Sequence, residues 1–394
     1  MPKPLNQTTA SLLLLSMVML GVFPLDVVLP SFPALASHFE TTADDIALSV
    51  SLFATVVAVS QLVLGPLSDA IGRKPLLLGG IALAMIGAYG CTQASDYRLF
   101  LVFRGVQAAG CGCFVLANAL VEDLFSGAQR GRVRILLATA GGVLVALSPL
   151  VGAGLQTTFG WAGSFHLFNL VGLLTLLQAA RHLRPLPASA RSHPAFIDSY
   201  RPILRSPAFL GYSAIAAIGF ACHFSFIVVS PLLLLVQLQL TQLQFALVLL
   251  GYGLAYLAGG LVASALHSRL ERDMQVMGGI ACTVLSGLAL LGIYASSGLS
   301  VWGVMLPMVL CATGTTLSRP AATGCAMDLC PGSAGAASSI LHSMKFLIAG
   351  AASACINLAG DSPACSLGAG LMVLGTASAV IAWKVAGPSR IAAR

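Results

Sequence analysis

Apolar residues in this chain fall in long unbroken runs, at about 9–29, 46–67, 75–93, 98–120, 134–156, 162–181, 208–235, 243–266, 275–296, 301–325, 335–359 and 364–386. Each comes near the roughly 20 residues that a helix needs to cross the hydrocarbon core of a bilayer. A transmembrane β-barrel would show shorter segments that alternate every second residue, so the runs predict helices. The first run contains Asp26 and ends at Pro30, with no small-residue cleavage site after it. It is therefore expected to stay as a membrane helix rather than be removed as a signal peptide. Six runs precede a polar, Arg- and Pro-containing stretch, and six follow it. The expected fold is an all-α membrane protein with twelve transmembrane helices in two six-helix bundles. The expected domains are an N-terminal bundle over 1–181, a cytoplasmic linker over 182–207 and a C-terminal bundle over 208–394.

Composition supports this reading. Of 394 residues, 57% are apolar and only 8% charged, and mean hydropathy is +0.92. A soluble domain carries about 25% charged residues. A soluble enzyme, a disordered chain and a nucleic-acid binder are thereby excluded as classes. Twelve spans use about 240 residues, which leaves loops and tails of about 12 residues each and no long soluble domain.

The net charge of +7 matters less than its distribution. With a cytoplasmic N-terminus, 16 of the 20 Lys and Arg residues fall on the cytoplasmic side, and the outer side holds only Arg98 near a helix end. The outer loops hold Glu40, Asp44, Asp45, Asp96 and Asp361. Basic residues concentrate in cytoplasmic loops of membrane proteins, so both termini are expected inside, and an even number of spans follows. Two six-helix halves around a basic linker is a pattern of transporters built from repeats. No filter-like signature points to a channel, and the seven histidines show no HExxH pattern or cluster with carboxylates. The ten cysteines lie mostly inside apolar runs without CxxC spacing, so they predict small apolar filler rather than a metal or redox site. Cys355 and Cys365 flank one expected outer loop, where a pairing is the alternative.

The strongest local motif is Gly65-Pro66-Leu67-Ser68-Asp69-Ala70-Ile71-Gly72-Arg73-Lys74-Pro75, between the second and third runs at the expected cytoplasmic face. Gly72 and Pro75 mark a tight connection. Asp69 is placed to cap or ion-pair with neighbouring helix ends, and Arg73 and Lys74 anchor the loop. The alternatives are a conformational clasp and a turn that only fixes topology. The segment resembles the cytoplasmic loop motif of the major facilitator superfamily, and with twelve predicted spans the resemblance covers essentially the whole chain. Within that superfamily the chain is similar to the twelve-helix drug:H+ antiporters, most nearly the Bcr/CflA-type multidrug efflux branch. The narrower resemblance rests on Asp26 with Pro30, on Gln61-Leu62-Val63-Leu64-Gly65-Pro66, on Arg104-Gly105-Val106-Gln107-Ala108-Ala109-Gly110, on Ser230-Pro231, and on Ala326-Met327-Asp328 with Gly335, Ala337 and Ser338. Two departures stand out. Asn118 and Glu122-Asp123 lie where similar proteins often carry basic residues near the end of the fourth helix. The Gly-Pro-rich element of the fifth helix is reduced to Gly141-Gly142 and Ser148-Pro149-Leu150-Val151-Gly152-Ala153-Gly154.

Charges inside the runs are the candidate site. An ionised carboxylate within the membrane is costly, so Asp26 should be lined by water, paired or protonated. A proton and a substrate could then compete at Asp26, which is a simple route to antiport. The alternative is a position already in the outer headgroup zone. Arg104 and Gln107 are three residues apart and share a helix face. Arg104 keeps its charge at any relevant pH and could pair with Asp26, gate water or hold an anionic group; the resemblance implies a part in proton coupling. In the C-terminal half, Arg319 sits near a helix end and Lys345 nearer mid-helix. Facing a cavity, they would attract anions. His223, with Phe220, Phe224 and Phe226 nearby, could titrate near neutral pH or be a packed neutral side chain. Gln61, Asn118, His166, Asn169 and His342 are the other polar residues within the runs.

These residues give proton-coupling candidates Asp26 and Arg104; substrate-binding candidates Asp26, Gln107, His223 and Lys345; and gating candidates Gly65, Asp69, Gly72, Arg73 and Lys74. No catalytic or metal-ligating set is expected, nor a cofactor; no P-loop sequence points to ATP, and the resemblance implies the proton gradient as the energy source. The resemblance implies a monomeric multi-pass carrier of the bacterial inner membrane that exports small amphipathic organic compounds or drugs by alternating access. Its partners are the small-molecule substrate, protons and membrane lipids, and no nucleic acid. The alternative within transport is export of a self-made metabolite such as a siderophore or metallophore.

Overall fold

The computed structural model describes residues 7–183, 196–267, 269–330, 334–360 and 362–392. Every regular element among them is a helix, and twelve helical segments are long and apolar enough to cross a membrane. Hydrocarbon offers no partner to a free N–H or C=O, and the helix satisfies both within one segment. The helices are α1 (Gln7–Asp26), α2 (Phe32–His38), α3 (Ala43–Ile71), α4 (Arg73–Gln93), α5 (Tyr97–Cys111), α6 (Leu116–Leu124), α7 (Ala128–Phe159) and α8 (Gly163–His182). They continue with α9 (Phe196–Leu204), α10 (Pro207–Pro231), α11 (Gln242–His267), α12 (Arg272–Ser297), α13 (Val301–Asp328), α14 (Ala334–Leu358) and α15 (Pro363–Ala392).

The apolar runs and the spans agree, with informative differences. The first span does not stop at Pro30. It breaks after Asp26, passes through a 3-10 turn at Leu29–Ser31 and continues as α2 to His38. Proline lacks the N–H for a helical bond and clashes with the preceding turn, so Pro30 breaks the span without ending it. The fourth span is likewise α5 and α6 joined by a 3-10 turn at Gly112–Val115. The seventh continues past Pro231 as a π-helical turn over Leu232–Gln237. There Pro231 leaves the carbonyl of Ile227 without its usual N–H donor, and the Ser230 hydroxyl donates to that carbonyl at 2.9 Å.

The chain forms two compact units, one of Met1–Thr42 with Val56–His193 and the other of Ala43–Thr55 with Pro194–Arg394. In the first unit, Ala10, Leu13, Leu14 and Met17 recur along one face of α1 and are buried with Leu77 and Ile81 of α4 and Leu120 and Val121 of α6. In the second, the first part of α3 lies on α14. Ser51 and Ser353 hydroxyls are 2.8 Å apart there, and the Asn357 amide donates to the Asp44 carbonyl at 2.9 Å. The stretch between the bundles carries the helix α9, whose Tyr200 and Ile203 are buried with Phe209, Ala326 and Ile340.

Lipid is as apolar as the helix surfaces, so association relies on close fit and small residues. The same device occurs in each unit. Between α4 and α5, a Cβ added at Gly110 would lie 2.5 Å from the Gly80 carbonyl oxygen. Between α12 and α13, a Cβ at Gly279 would lie 2.5 Å from the Gly314 carbonyl oxygen. The third and fourth spans of each half therefore cross where both carry glycine.

Gly110→Ala and Gly279→Ala should each destabilise the detergent-solubilised protein by about 1–3 kcal/mol, the range for overpacking a closed contact. Gly79→Ala, whose added Cβ meets nothing within 4 Å, should leave the thermal unfolding midpoint unchanged or slightly raised. Thermal unfolding of the three variants beside wild type checks both statements.

Candidate functional site

Asp26 is the last residue of α1, just before the break, and is 8% exposed. Arg104, on α5, is 1% exposed. They are the two acidic or basic side chains, histidine aside, that are buried among the described residues. Arg104 donates through Nη1 to Gln107 Oε1 at 2.8 Å and through Nη2 to the Pro24 carbonyl at 3.1 Å. A helix that breaks leaves its last carbonyls without intrahelical donors, and the guanidinium takes one of them. The Phe165 ring also faces the guanidinium, with Cζ 5.9 Å from its centroid. Gln107 is equally enclosed at 1% exposure. Its backbone packs so tightly on Gly87 of α4 that a Cβ there would collide with it.

The reduced Gly-Pro element of the fifth span has a place here. Gly152 of α7 lies against the break, where an added Cβ would collide with the Val27 carbonyl and sit 3.1 Å from Cδ of Pro30. No ion pair joins Asp26 to Arg104 among the described residues. Asp26, Arg104, Gln107 and the break thus share the first unit, with Arg104 holding the backbone beside the acid.

The loop motif builds a second cluster in that unit. Gly65 lies on α3, and its carbonyl accepts from the Ser68 hydroxyl at 2.6 Å. Gly72 joins α3 to α4 with φ 91° and ψ 152°, a conformation open essentially to glycine alone. Arg73 Nε is 2.6 Å from Asp123 Oδ2. The Lys74 ammonium donates to the Ala180 carbonyl at 2.7 Å, near the C-terminal end of α8, where a cation complements the helix dipole. The side chains of Asp69 and Asn118 lie outside the described residues. Glu122 pairs with Arg130 at 3.1 Å and with Arg134. Glu122-Asp123, read from the sequence as a departure, are thus the acidic partners of the basic loop residues. The second unit repeats the arrangement, because Arg272 at the start of α12 pairs with Asp328 at the end of α13.

His223 and Lys345 are placed in the second unit, in a group that centres on Phe220. The His223 Nδ1 is 2.7 Å from the Tyr252 hydroxyl, and its ring stacks on Tyr252 at 5.5 Å and meets Tyr256 at 4.7 Å. Lys345 Nζ lies 4.8 Å from the Phe220 ring centroid and 4.5 Å from that of Phe346. Arg319 Cζ lies over the same Phe220 ring at 5.8 Å. Sequence reading did not single out Tyr252 and Tyr256. Their four-residue spacing on α11 puts them on one helix face, which is the signal that could have found them. The ten cysteines are free, including Cys355 and Cys365.

Comparison with known proteins gives the family and the fold. The family model described as Major Facilitator Superfamily matches residues 12–354. A chloramphenicol resistance protein of Pseudomonas aeruginosa is 28% identical over 311 residues, 77% of this chain and 73% of that protein. A bicyclomycin resistance protein homolog of Haemophilus influenzae is 24% identical over 338 residues, 84% of each chain. The multidrug resistance protein MdtL of Salmonella typhimurium is 28% identical over 245 residues, 60% of this chain and 61% of that one. A solved structure of the xylose transporter XylE from E. coli, in a partially occluded inward open conformation, superposes with a TM-score of 0.75 over 96% of this chain and 97% of that one. At 13% identity it shows the fold.

Replacing Arg104 by Ala strands the Gln107 side chain and the Pro24 carbonyl. That should cost about 1–3 kcal/mol, the range for a buried polar group left unsatisfied. Asp26→Asn removes an enclosed charge at nearly constant volume and should leave thermal stability unchanged or raised. Unfolding midpoints of the two variants test the contrast.

Proposed function

This chain belongs to the Major Facilitator Superfamily, and on that premise we propose that it is a proton-coupled exporter of small amphipathic organic compounds, drugs among them. It is a carrier and not an enzyme. Its relatives' names describe resistance to chloramphenicol, to bicyclomycin and to multiple drugs, which supports drug efflux over the alternative of a self-made metabolite. The site for this function is the bacterial inner membrane, with both termini in the cytoplasm, the orientation that the loop charges favour.

The observation that carries the coupling reading is Asp26, an enclosed acid at a helix break with a permanent cation holding the backbone beside it. An acid enclosed by protein, with no ion partner among the described residues, favours binding a proton or a substrate's positive or polar group, one at a time. Protons that enter down their gradient reload Asp26 and displace the substrate outward. Arg104 fixes the break through Pro24 and Gln107, so a change at Asp26 acts on a defined hinge. Transport proceeds by alternating access, as in carriers built from repeats. The Arg73–Asp123 and Arg272–Asp328 pairs fasten the basic ends of the third and fourth spans and serve as gate contacts.

In a strain stripped of its own efflux pumps, the wild-type chain should raise resistance to chloramphenicol or bicyclomycin. Inside-out vesicles from that strain should accumulate the compound when respiration acidifies their lumen. Asp26→Asn should reach the membrane in equal amount, lose the resistance and abolish the pH-driven accumulation. Accumulation that survives in Asp26→Asn, or that ignores a protonophore in wild type, would refute proton coupling at this residue.

A further inference from the structure

The second unit collects basic side chains around one aromatic ring. The Phe220 centroid lies 4.8 Å from Lys345 Nζ, 5.8 Å from Arg319 Cζ and 6.1 Å from the His223 ring centroid. Phe346 meets Phe220 edge-on at 5.6 Å and also faces the Lys345 ammonium. His342, one turn before Phe346 on α14, lies within electrostatic range of both Lys345 and Arg319. Arg319, His342 and Lys345 are each partly exposed.

Among the described residues no carboxylate pairs with the group, and Asp44 and Asp45 lie in the first turn of α3. Between Pro207 and Asp361 the acidic residues are Glu271, Asp273 and Asp328. Asp328 is paired with Arg272, and the other two sit at the start of α12. Among the described residues, the charged neighbours that act on His223, His342 and Lys345 are all basic. The purely structural alternative is that the rings satisfy the cations. A ring face attracts a cation far less than a carboxylate does, and here two cations share one ring and repel each other. Like charges brought together within a membrane span, without a counter-charge, mark a place where an anion is accepted.

We propose that Arg319, Lys345 and His342, with Phe220 and Phe346 as its floor, form a subsite for the carboxylate, or a similar acidic group, of an amphipathic aromatic compound. The cations hold the acidic group, and the rings stack against the body of the molecule. His223, locked to Tyr252, forms the far wall. The inference takes from the proposed function only that the chain carries small amphipathic molecules, and it assigns those molecules a negative group. A phospholipid headgroup offers similar charge, so the test includes it.

The experiment is equilibrium dialysis of the purified full chain in a non-ionic detergent. Three probes share one body: biphenyl-4-carboxylate, the neutral biphenyl-4-carboxamide and the cationic biphenyl-4-ylmethylammonium. Wild type is expected to bind the carboxylate at least about tenfold more tightly than either of the others, as one charge-assisted contact allows. Lys345→Gln and Arg319→Gln should each weaken carboxylate binding about tenfold while carboxamide binding persists, which also shows that the variants are folded. Lys345→Arg should keep the preference. Equal binding of the three probes, or a preference that survives in the double Gln variant, would overturn the proposal. Displacement of the carboxylate by phosphatidylglycerol but not by phosphatidylcholine would assign the subsite to a lipid headgroup and overturn the substrate reading. Dialysis imposes no proton gradient, so its outcome is independent of the vesicle result for Asp26.

Discussion

A guanidinium inside a bilayer has to find its partners in the protein, because hydrocarbon supplies none. Arg104 meets that demand with a glutamine one turn along its own helix and with a backbone carbonyl of the first span. The carbonyl lies at the place where α1 breaks, and α1 breaks where Asp26 sits. One contact therefore ties a permanent charge, a helix break and an enclosed acid together. Neighbouring helices are shaped to it: Gly87 clears room for Gln107, and Gly152 lets α7 close on the break. In the proposed cycle, a change of state at the acid would act on this break.

The two halves solve a second problem in the same way. Without a hydrophobic drive between helices, the third and fourth spans of each half meet through paired glycines and are fastened at one end by an Arg–Asp pair. Exposed pairs of this kind contribute little stability, roughly 0–1 kcal/mol. That weakness is consistent with the proposed role of these pairs as gate contacts. The close glycine contacts supply the permanent part of the fit. The charges within the spans, by contrast, differ between the halves: buried Asp26 and Arg104 in one unit, a partly exposed basic group on aromatic rings in the other.

Much of the fold is legible in the sequence, because length and continuity of apolar runs are direct consequences of bilayer thickness. Twelve spans, Asp26 and Arg104 as intramembrane charges, and the loop motif can all be read residue by residue. What is not legible depends on contacts between distant segments. The run 46–67 carries no sign that Ser51 meets Ser353, which is 302 positions away. Pro30 reads as an end, and only the packing of α2 shows it to be a break. Glu122 and Asp123 read as a departure until the loop arginines are seen against them. The helix α9 is short, and Pro202 within it masks its pattern, although Tyr200 and Ile203 keep the spacing of a buried face. The basic group around Phe220 draws on three helices, so no local motif could announce it.

The most direct test of the central claim, that Asp26 is the proton-exchanging group, is pH-difference infrared spectroscopy of the purified protein. The account predicts a carboxylic-acid C=O band that titrates in wild type, is absent in Asp26→Asn and shifts when a transported compound binds. A titrating band that is unchanged in Asp26→Asn would place the exchanged proton elsewhere and contradict the account.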